Sequence, residues 1–181
     1  TDAANAFESD NDANGTTAEP FTKAIFSNIS AFGPAISATE PATLAANHLG
    51  GSALRLRRNT RLQIYNSAFL GWGIGLRLES DGSQTAAQTD VLTVKNTIIA
   101  GVRSADKFKE DGTIFDAASL EGWFNSASRK NQLYGTNAEV KIAAPFNSAA
   151  FNFQPLAGSP ARNASSWYNP TTETTSINHS F

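Results

Sequence analysis

KAIFSNISAFG at 23–33, ALRLRRNTRLQIYNSAFLG at 53–71 and VLTVKNTIIAG at 91–101 carry one pattern. In each, an apolar residue, any residue and an Asn are followed by four residues and a Gly: Phe26-Ser27-Asn28 to Gly33, Ile64-Tyr65-Asn66 to Gly71, Val94-Lys95-Asn96 to Gly101. The Asn recurs at 28, 66 and 96, that is after 38 and then 30 positions. Self-similarity at that period is the mark of a solenoid or an array. The runs are short, β-branched and bounded by turn residues, which makes them strands of a few residues each.

The pattern has one physical solution that satisfies every part of it. Short strands stack on the same strand of the neighbouring turns of chain, and alternate side chains enter a narrow core. In Ala53 to Arg57, Leu54 and Leu56 then face inward while Arg55 and Arg57 face out. Asn tolerates the left-handed backbone of a tight corner, so Asn28, Asn66 and Asn96 are expected to form a ladder of side-chain amides at one corner, with Gly serving the next. The architecture expected is an all-β parallel β-helix.

Four segments follow: a polar N-terminal loop at 1–22, β-helix coils at 23–104, last coils with a short helix at 105–164, and a covering tail at 165–181. Asp116 or Ser119 is the expected N-cap of that helix, before Leu120, Trp123 and Phe124. Ala35 to Gly51 and Asp81 to Asp90, rich in Ala, Thr, Ser, Gln and Gly, are expected to be loops, and Val140-Lys141-Ile142 one more strand. From Ala105 to Asn131 the pattern changes, and the repeat is expected to be leaving off there.

Composition closes several classes of chemistry. The chain of 181 residues has no Cys, which excludes disulfides, thiolate metal sites and a cysteine nucleophile. A net charge of -2 gives no global field for nucleic acid, and no stretch approaches the roughly 18 apolar residues of a membrane span. His48 and His179 are the only histidines and lie far apart, giving little basis for a triad or a zinc site. The first residues are polar and acidic and do not form a signal peptide, so the chain is expected to be part of something longer.

The run GSALRLRRNTRLQIYNSAFLGWGIGLRLES at 51–80, the opening FESDNDANG at 7–15 with KAIFSNISAFGP at 23–34, and FQPLAGSPARNAS at 153–165 resemble secreted or surface-attached β-helix proteins of Bacteroidota, similar to the pectate-lyase-like superfamily. A closing Leu-x-Gly-Ser-Pro-Ala motif is common there; here it is Leu156, Gly158, Ser159, Pro160 and Ala161. The resemblance implies a right-handed solenoid, an extracellular or outer-membrane-surface location, and further coils before Thr1. The first coil would then pack on those coils or on another chain.

Three constellations are candidates for function. Asp10, Asp12 and Asn14, followed by Gly15, place oxygen ligands at alternate positions and could wrap Ca2+, although Phe21 stands where an EF-hand needs its bidentate Glu. The alternative is a polar loop whose side chains cap its own turns. Arg55, Arg57 and Arg77 on outward positions could align into a basic stripe for an acidic polysaccharide, or be a solvated face paired with Glu79, Asp81 and Asp90. Trp72, flanked by Gly71 and Gly73, and Tyr65 could stack on sugar rings, the alternative being core.

The repeated strands hold almost no Asp or Glu, whereas a hydrolase needs carboxylates converging on one cleft. The function expected is a non-catalytic surface module that binds glycan or a protein partner within a larger assembly. The other reading is a polysaccharide-degrading enzyme, of lyase or hydrolase type, whose catalytic part lies outside this chain.

Overall fold

The computed structural model describes residues 5–35, 51–103, 105, 107–162 and the backbone of two C-terminal strands. His48, most of the 35–51 segment, the side chains of Trp167 and Tyr168, and His179 lie outside the described residues.

Short strands are laid down in a repeating order on three sheets. The first pass is β1 (Phe7–Ser9), β2 (Ile25–Ser27) and β3 (Ser30–Phe32). The second is β4 (Ser52–Leu56), β5 (Gln63–Tyr65) and β6 (Ala68–Leu70). The third is β7 (Ile74–Glu79), β8 (Thr93–Lys95) and β9 (Ile98–Ala100). The fourth gives β10 (Phe108–Asp111) and β11 (Gln132–Tyr134). Sheet A is β1-β4-β7-β10, sheet B is β2-β5-β8, and sheet C is β3-β6-β9-β11. Every pairing in these three sheets is parallel.

Stacking places like on like. On sheet A, Phe7, Leu54, Leu76 and Phe108 are in register; on sheet B, Phe26, Ile64 and Val94; on sheet C, Ala31, Phe69, Ile99 and Leu133. These columns meet in one core, in which Leu54, Ile64, Phe69, Leu76, Val94 and Ile99 are all fully buried. Each such side chain contributes roughly 1.5–3 kcal/mol relative to exposure. The outward alternates are polar on sheet A and apolar on part of sheet C.

The corners explain the repeat. Asn28, Asn66 and Asn96 have φ of 61, 51 and 51°, so all three occupy left-handed backbone between sheets B and C. Lys130 does the same at φ 53°, and Gly135 follows it at the same interval of five residues. The repeat therefore runs through the stretch where the sequence pattern changes. A fourth pass follows with Lys in place of Asn. At the next corner, a Cβ on Gly33 would lie 2.5 Å from the carbonyl oxygen of Gly71, so only Gly lets successive turns approach there.

Two loop expectations need correction. Part of the polar opening is a strand, since Phe7 joins the core and β1 pairs with β4. Asp81–Gln88, expected as a loop, is helix α1, and its polar sequence is held by Gln84, whose side chain is buried. Gln84 Oε1 accepts from the backbone N–H groups of Ile114 and Phe115, while Nε2 donates to the carbonyl of Leu78. The second helix, α2 (Ala117–Phe124), has Asp116 as N-cap: its carboxylate accepts from the Ser119 N–H at 2.7 Å, and Ser119 Oγ accepts from the Asp116 N–H. Leu120 and Phe124 of α2 are fully buried and join the core.

β12 (Ile142–Ala144) pairs antiparallel with β13 (Asn152–Pro155), outside the three stacks. Val140, expected to begin a strand, closes a short 3-10 turn at Asn137–Val140. Ile142 and Phe146 pack against Leu70, Ile98 and Ala100 on the outer face of sheet C. The Leu156-to-Ala161 motif is the turn that follows β13: buried Ser159 donates its hydroxyl to the Val140 carbonyl at 2.6 Å, and the Ala161 N–H returns to Ser159 Oγ. β14 (Ser166–Tyr168) and β15 (Thr175–Asn178) form a second antiparallel pair.

Candidate functional site

Sheet A presents its charged outer face as a closed network. Glu8, Arg55, Arg77 and Lys109 lie in one register row, with Glu79 and Asp111 in the next. Arg55 bonds Glu79 at 3.3 Å and lies 3.6 Å from Glu8; Arg57 pairs with Glu8 and, at 2.7 Å, with Asp10; Arg77 pairs with Glu79. Burial works against the charge of Arg57, but Asp10, Glu8 and Glu79 outweigh it and hold its pKa above the usual value. Arg55 and Arg77 are thus brought side by side, yet each spends its guanidinium on a carboxylate. The pairing expected with Glu79 is present. Asp81 instead bonds Thr113, and Asp90 pairs with Lys95 and Arg129. Glu8 and Asp10, which sequence reasoning did not connect to this face, supply the other half. The signal was the alternation Phe7-Glu8-Ser9-Asp10.

That network also engages the candidate cation loop. Asp10 bonds Arg57 and Arg58, the latter at 3.0 Å. Asp12 turns back on its own loop, accepting from the N–H of Asn14 at 2.7 Å and from both the hydroxyl and N–H of Thr16. The Thr16 hydroxyl bond is the largest influence lowering the Asp12 pKa. Asn14 is exposed. Among the described residues no group of three or more His, Cys, Asp and Glu is placed to hold a metal ion.

Both aromatic candidates are corrected by burial. Trp72 is 8% exposed and belongs to the core, because the Gly71 corner turns the next residue inward rather than out. Tyr65 is 4% exposed, donates its hydroxyl to Gln63 Oε1 at 2.9 Å and lies near the Arg129 guanidinium. Neither ring face is available to a sugar.

The site that the stack does build is a groove of about 510 Å³ on the outer face of sheet C. Its floor is one register row, Ser30, Ala68, Ile98 and Gln132. One wall is the corner column Asn28, Asn66, Asn96 and Lys130; the other is β13 and the turn after it, through Phe153, Gln154, Pro160 and Arg162. Asn96 Nδ2 donates to Asn66 Oδ1 at 3.2 Å, and Asn66 Nδ2 to Ser27 Oγ, which in turn donates to Asn28 Oδ1. A second ladder lies beside the first: the Ile29 N–H reaches Ser67 Oγ, and the Thr97 N–H reaches Asn131 Oδ1.

Phe153 is 50% exposed, tilted against Phe32 at 4.7 Å between centroids and stacked with Phe151 at 5.6 Å. Lys130 and Arg162 are exposed and make no ion pair among the described residues. Among the described residues the groove lining contains no Asp, Glu, His, Tyr or Cys. Sequence reasoning missed this site because its second wall comes from β12 and β13, outside the repeat.

A stack of three parallel sheets with an Asn corner column is the geometry of a β-helix. Residues 1–145 match the family model described as a pectate-lyase-like β-helix domain. The chain belongs to that family. No curated protein and no solved structure matches it. The family fits the three sheets and the Asn column, which fall within the matched residues. β13 and the turn that walls the groove fall outside them, so the groove is only partly family architecture. No helix among the described residues is long and apolar enough to cross a membrane.

Proposed function

We propose that this β-helix domain is a non-catalytic binding module of an extracellular or cell-surface protein, and that it holds a saccharide chain in the groove on sheet C. The observation that carries the reading is the groove lining: an amide column and two cations on one framework, an exposed aromatic ring opposite, and no carboxylate among the described residues. Sugars present hydroxyl edges and apolar C–H faces. Amides serve the first and an aromatic ring the second, while a few placed polar groups fix orientation. Lys130 and Arg162 would meet a carboxylate or sulfate on the chain. Acid-base hydrolysis needs two carboxylates across the bond to be broken, and among the described residues this groove offers none.

The arginine face of sheet A is the weaker alternative for an acidic glycan, because a ligand carboxylate would have to displace Glu8, Asp10 and Glu79. Ca2+ does not enter the reading, since Asp10 and Asp12 are already bonded within the protein. The solenoid is read as right-handed, as parallel crossovers almost always are.

Its first pass supports placement within a larger assembly. Phe26 is 36% exposed although Ile64 and Val94, in the same inward column, are fully buried. A further coil or another chain stacked on that pass would cover it.

The test is glycan binding measured on an array and then by calorimetry. Phe153→Ala and the pair Lys130→Ala with Arg162→Ala are expected to weaken binding at least tenfold, and Arg55→Ala to leave it unchanged. Binding that survives the groove changes but is lost with Arg55→Ala would move the site to sheet A.

A further inference from the structure

A second depression, of about 310 Å³, lies at the opposite side of the stack, where the chain turns from sheet A to sheet B. It is lined by Arg61 and Asn59 on that turn, by Thr17 of the preceding loop, and by Gly82 and Thr85 on one face of α1. Of the arginines between 55 and 61, Arg55, Arg57 and Arg58 are each paired with a carboxylate. Arg61 has no carboxylate partner among the described residues. Its guanidinium carbon sits 3.2 Å from the centroid of the Phe21 ring, and its Nε is buried with no hydrogen-bond acceptor.

This is a prepared donor rather than a loose surface charge. The Phe21 face fixes the plane of the guanidinium by cation–π attraction, so little side-chain freedom remains to be lost on binding. The Arg61 N–H is fixed to the Thr22 carbonyl at 2.9 Å. Asn59 is pinned on two sides: its backbone N–H donates to Ser83 Oγ, and its side chain donates to the Thr16 carbonyl. Gly82 makes room for it, because a Cβ there would lie 2.9 Å from the Asn59 side-chain carbon. Among the described residues no carboxylate lines the depression to repel an anion. Nε itself is closed to solvent, so an anion in the depression would meet the two Nη nitrogens, which carry no hydrogen bond among the described residues, and an oxygen anion is the group that their planar fork fits.

We infer that the Arg61 depression is a binding site for a small oxyanion, such as a sulfate, phosphate or carboxylate group, held by the guanidinium with the Thr17 and Thr85 hydroxyls beside it. The site is independent of the groove on sheet C and shares no residue with it.

Sodium sulfate, inorganic phosphate and acetate are each titrated at constant ionic strength against chloride, following the Arg61 Nε–H resonance by NMR and the melting temperature. At least one is expected to shift that resonance saturably in the millimolar range and to raise the melting temperature along the same curve. Sulfate and phosphate against acetate report whether the site prefers a tetrahedral or a planar group. In Arg61→Met, which keeps the stem against Phe21, the rise is expected to vanish. Should that variant not fold, the resonance of the unaltered protein decides. An Arg61 Nε–H that none of the three anions moves, or a melting rise unchanged in Arg61→Met, overturns the inference.

Discussion

At the scale of single residues, the corner column does two jobs: it holds left-handed backbone and it links one turn of chain to the next. Asn66→Ala loses both, and about 1–3 kcal/mol of stability is expected to go with it. Asn66→Gly keeps the backbone freedom and loses only the amide bonds to Asn96 and Ser27, so its cost should be the smaller of the two in chemical denaturation. Equal costs would mean that the amide bonds carry the stability. Lys130 stands in the same column at φ 53°, where Lys is strained and Asn is at ease. Lys130→Asn is therefore expected to raise the melting temperature, by the equivalent of roughly 0.5–1 kcal/mol, while weakening capture of an anionic chain.

The Asn column was legible because three copies carry the same residue at one spacing. The fourth was not, because a single Asn-to-Lys replacement hides it and only backbone conformation reveals it. Trp72 and Tyr65 show the converse limit. Flanking glycines suggested exposure of Trp72, but burial depends on what a neighbouring segment covers.

Among the elements, the helices tie the passes together. Gln84 on α1, itself fully buried, satisfies two part-buried backbone N–H groups of the 112–116 segment and the buried Leu78 carbonyl. Gln84→Leu would leave these groups without partners, at about 2–4 kcal/mol. Denaturant melts showing a loss below about 0.5 kcal/mol would mean that water enters the site. The DGSQTAAQ sequence of α1 reads as a loop because its buried contact is one amide rather than an apolar stripe. α2 was legible from its capping residue and the apolar residues that follow.

The segment after α2 is locked to α1 through Asp90, which pairs with Lys95 at 2.7 Å and Arg129 at 2.9 Å. Burial alone would raise the Asp90 pKa; Lys95 and Arg129 outweigh it and hold it below 3.8. A carboxylate whose folded pKa is depressed adds stability above its unfolded pKa and loses it as pH falls through the folded value. This contribution is thus complete above about pH 5 and fades below 3.8. Asp90→Asn should lower the melting temperature at pH 7 and narrow the gap from the unaltered protein as pH drops toward 3. A constant gap across that range would show that the ion pairs contribute nothing.

Across the whole molecule, repetition supplies the scaffold and the departures from repetition supply the site. Periodicity revealed the three stacked faces, since the same column recurs in every pass. It could not reveal the groove, whose aromatic wall comes from β13, nor the neutralised face of sheet A, whose carboxylates Glu8 and Asp10 lie in a stretch that looks like polar loop. A family assignment narrows the architecture without choosing between binding and turnover. The proposed binding role rests on the groove lining, which pairs saccharide-binding groups with no carboxylate among the described residues.

The most direct measurement is therefore a prolonged incubation of the protein with the best-bound glycan, following bound fraction and chain length in the same sample. Saturable binding that requires Phe153, with chain length unchanged and no new reducing or unsaturated ends, is the expected result. Progressive shortening of the glycan that stops when Phe153, Lys130 and Arg162 are replaced would contradict the account.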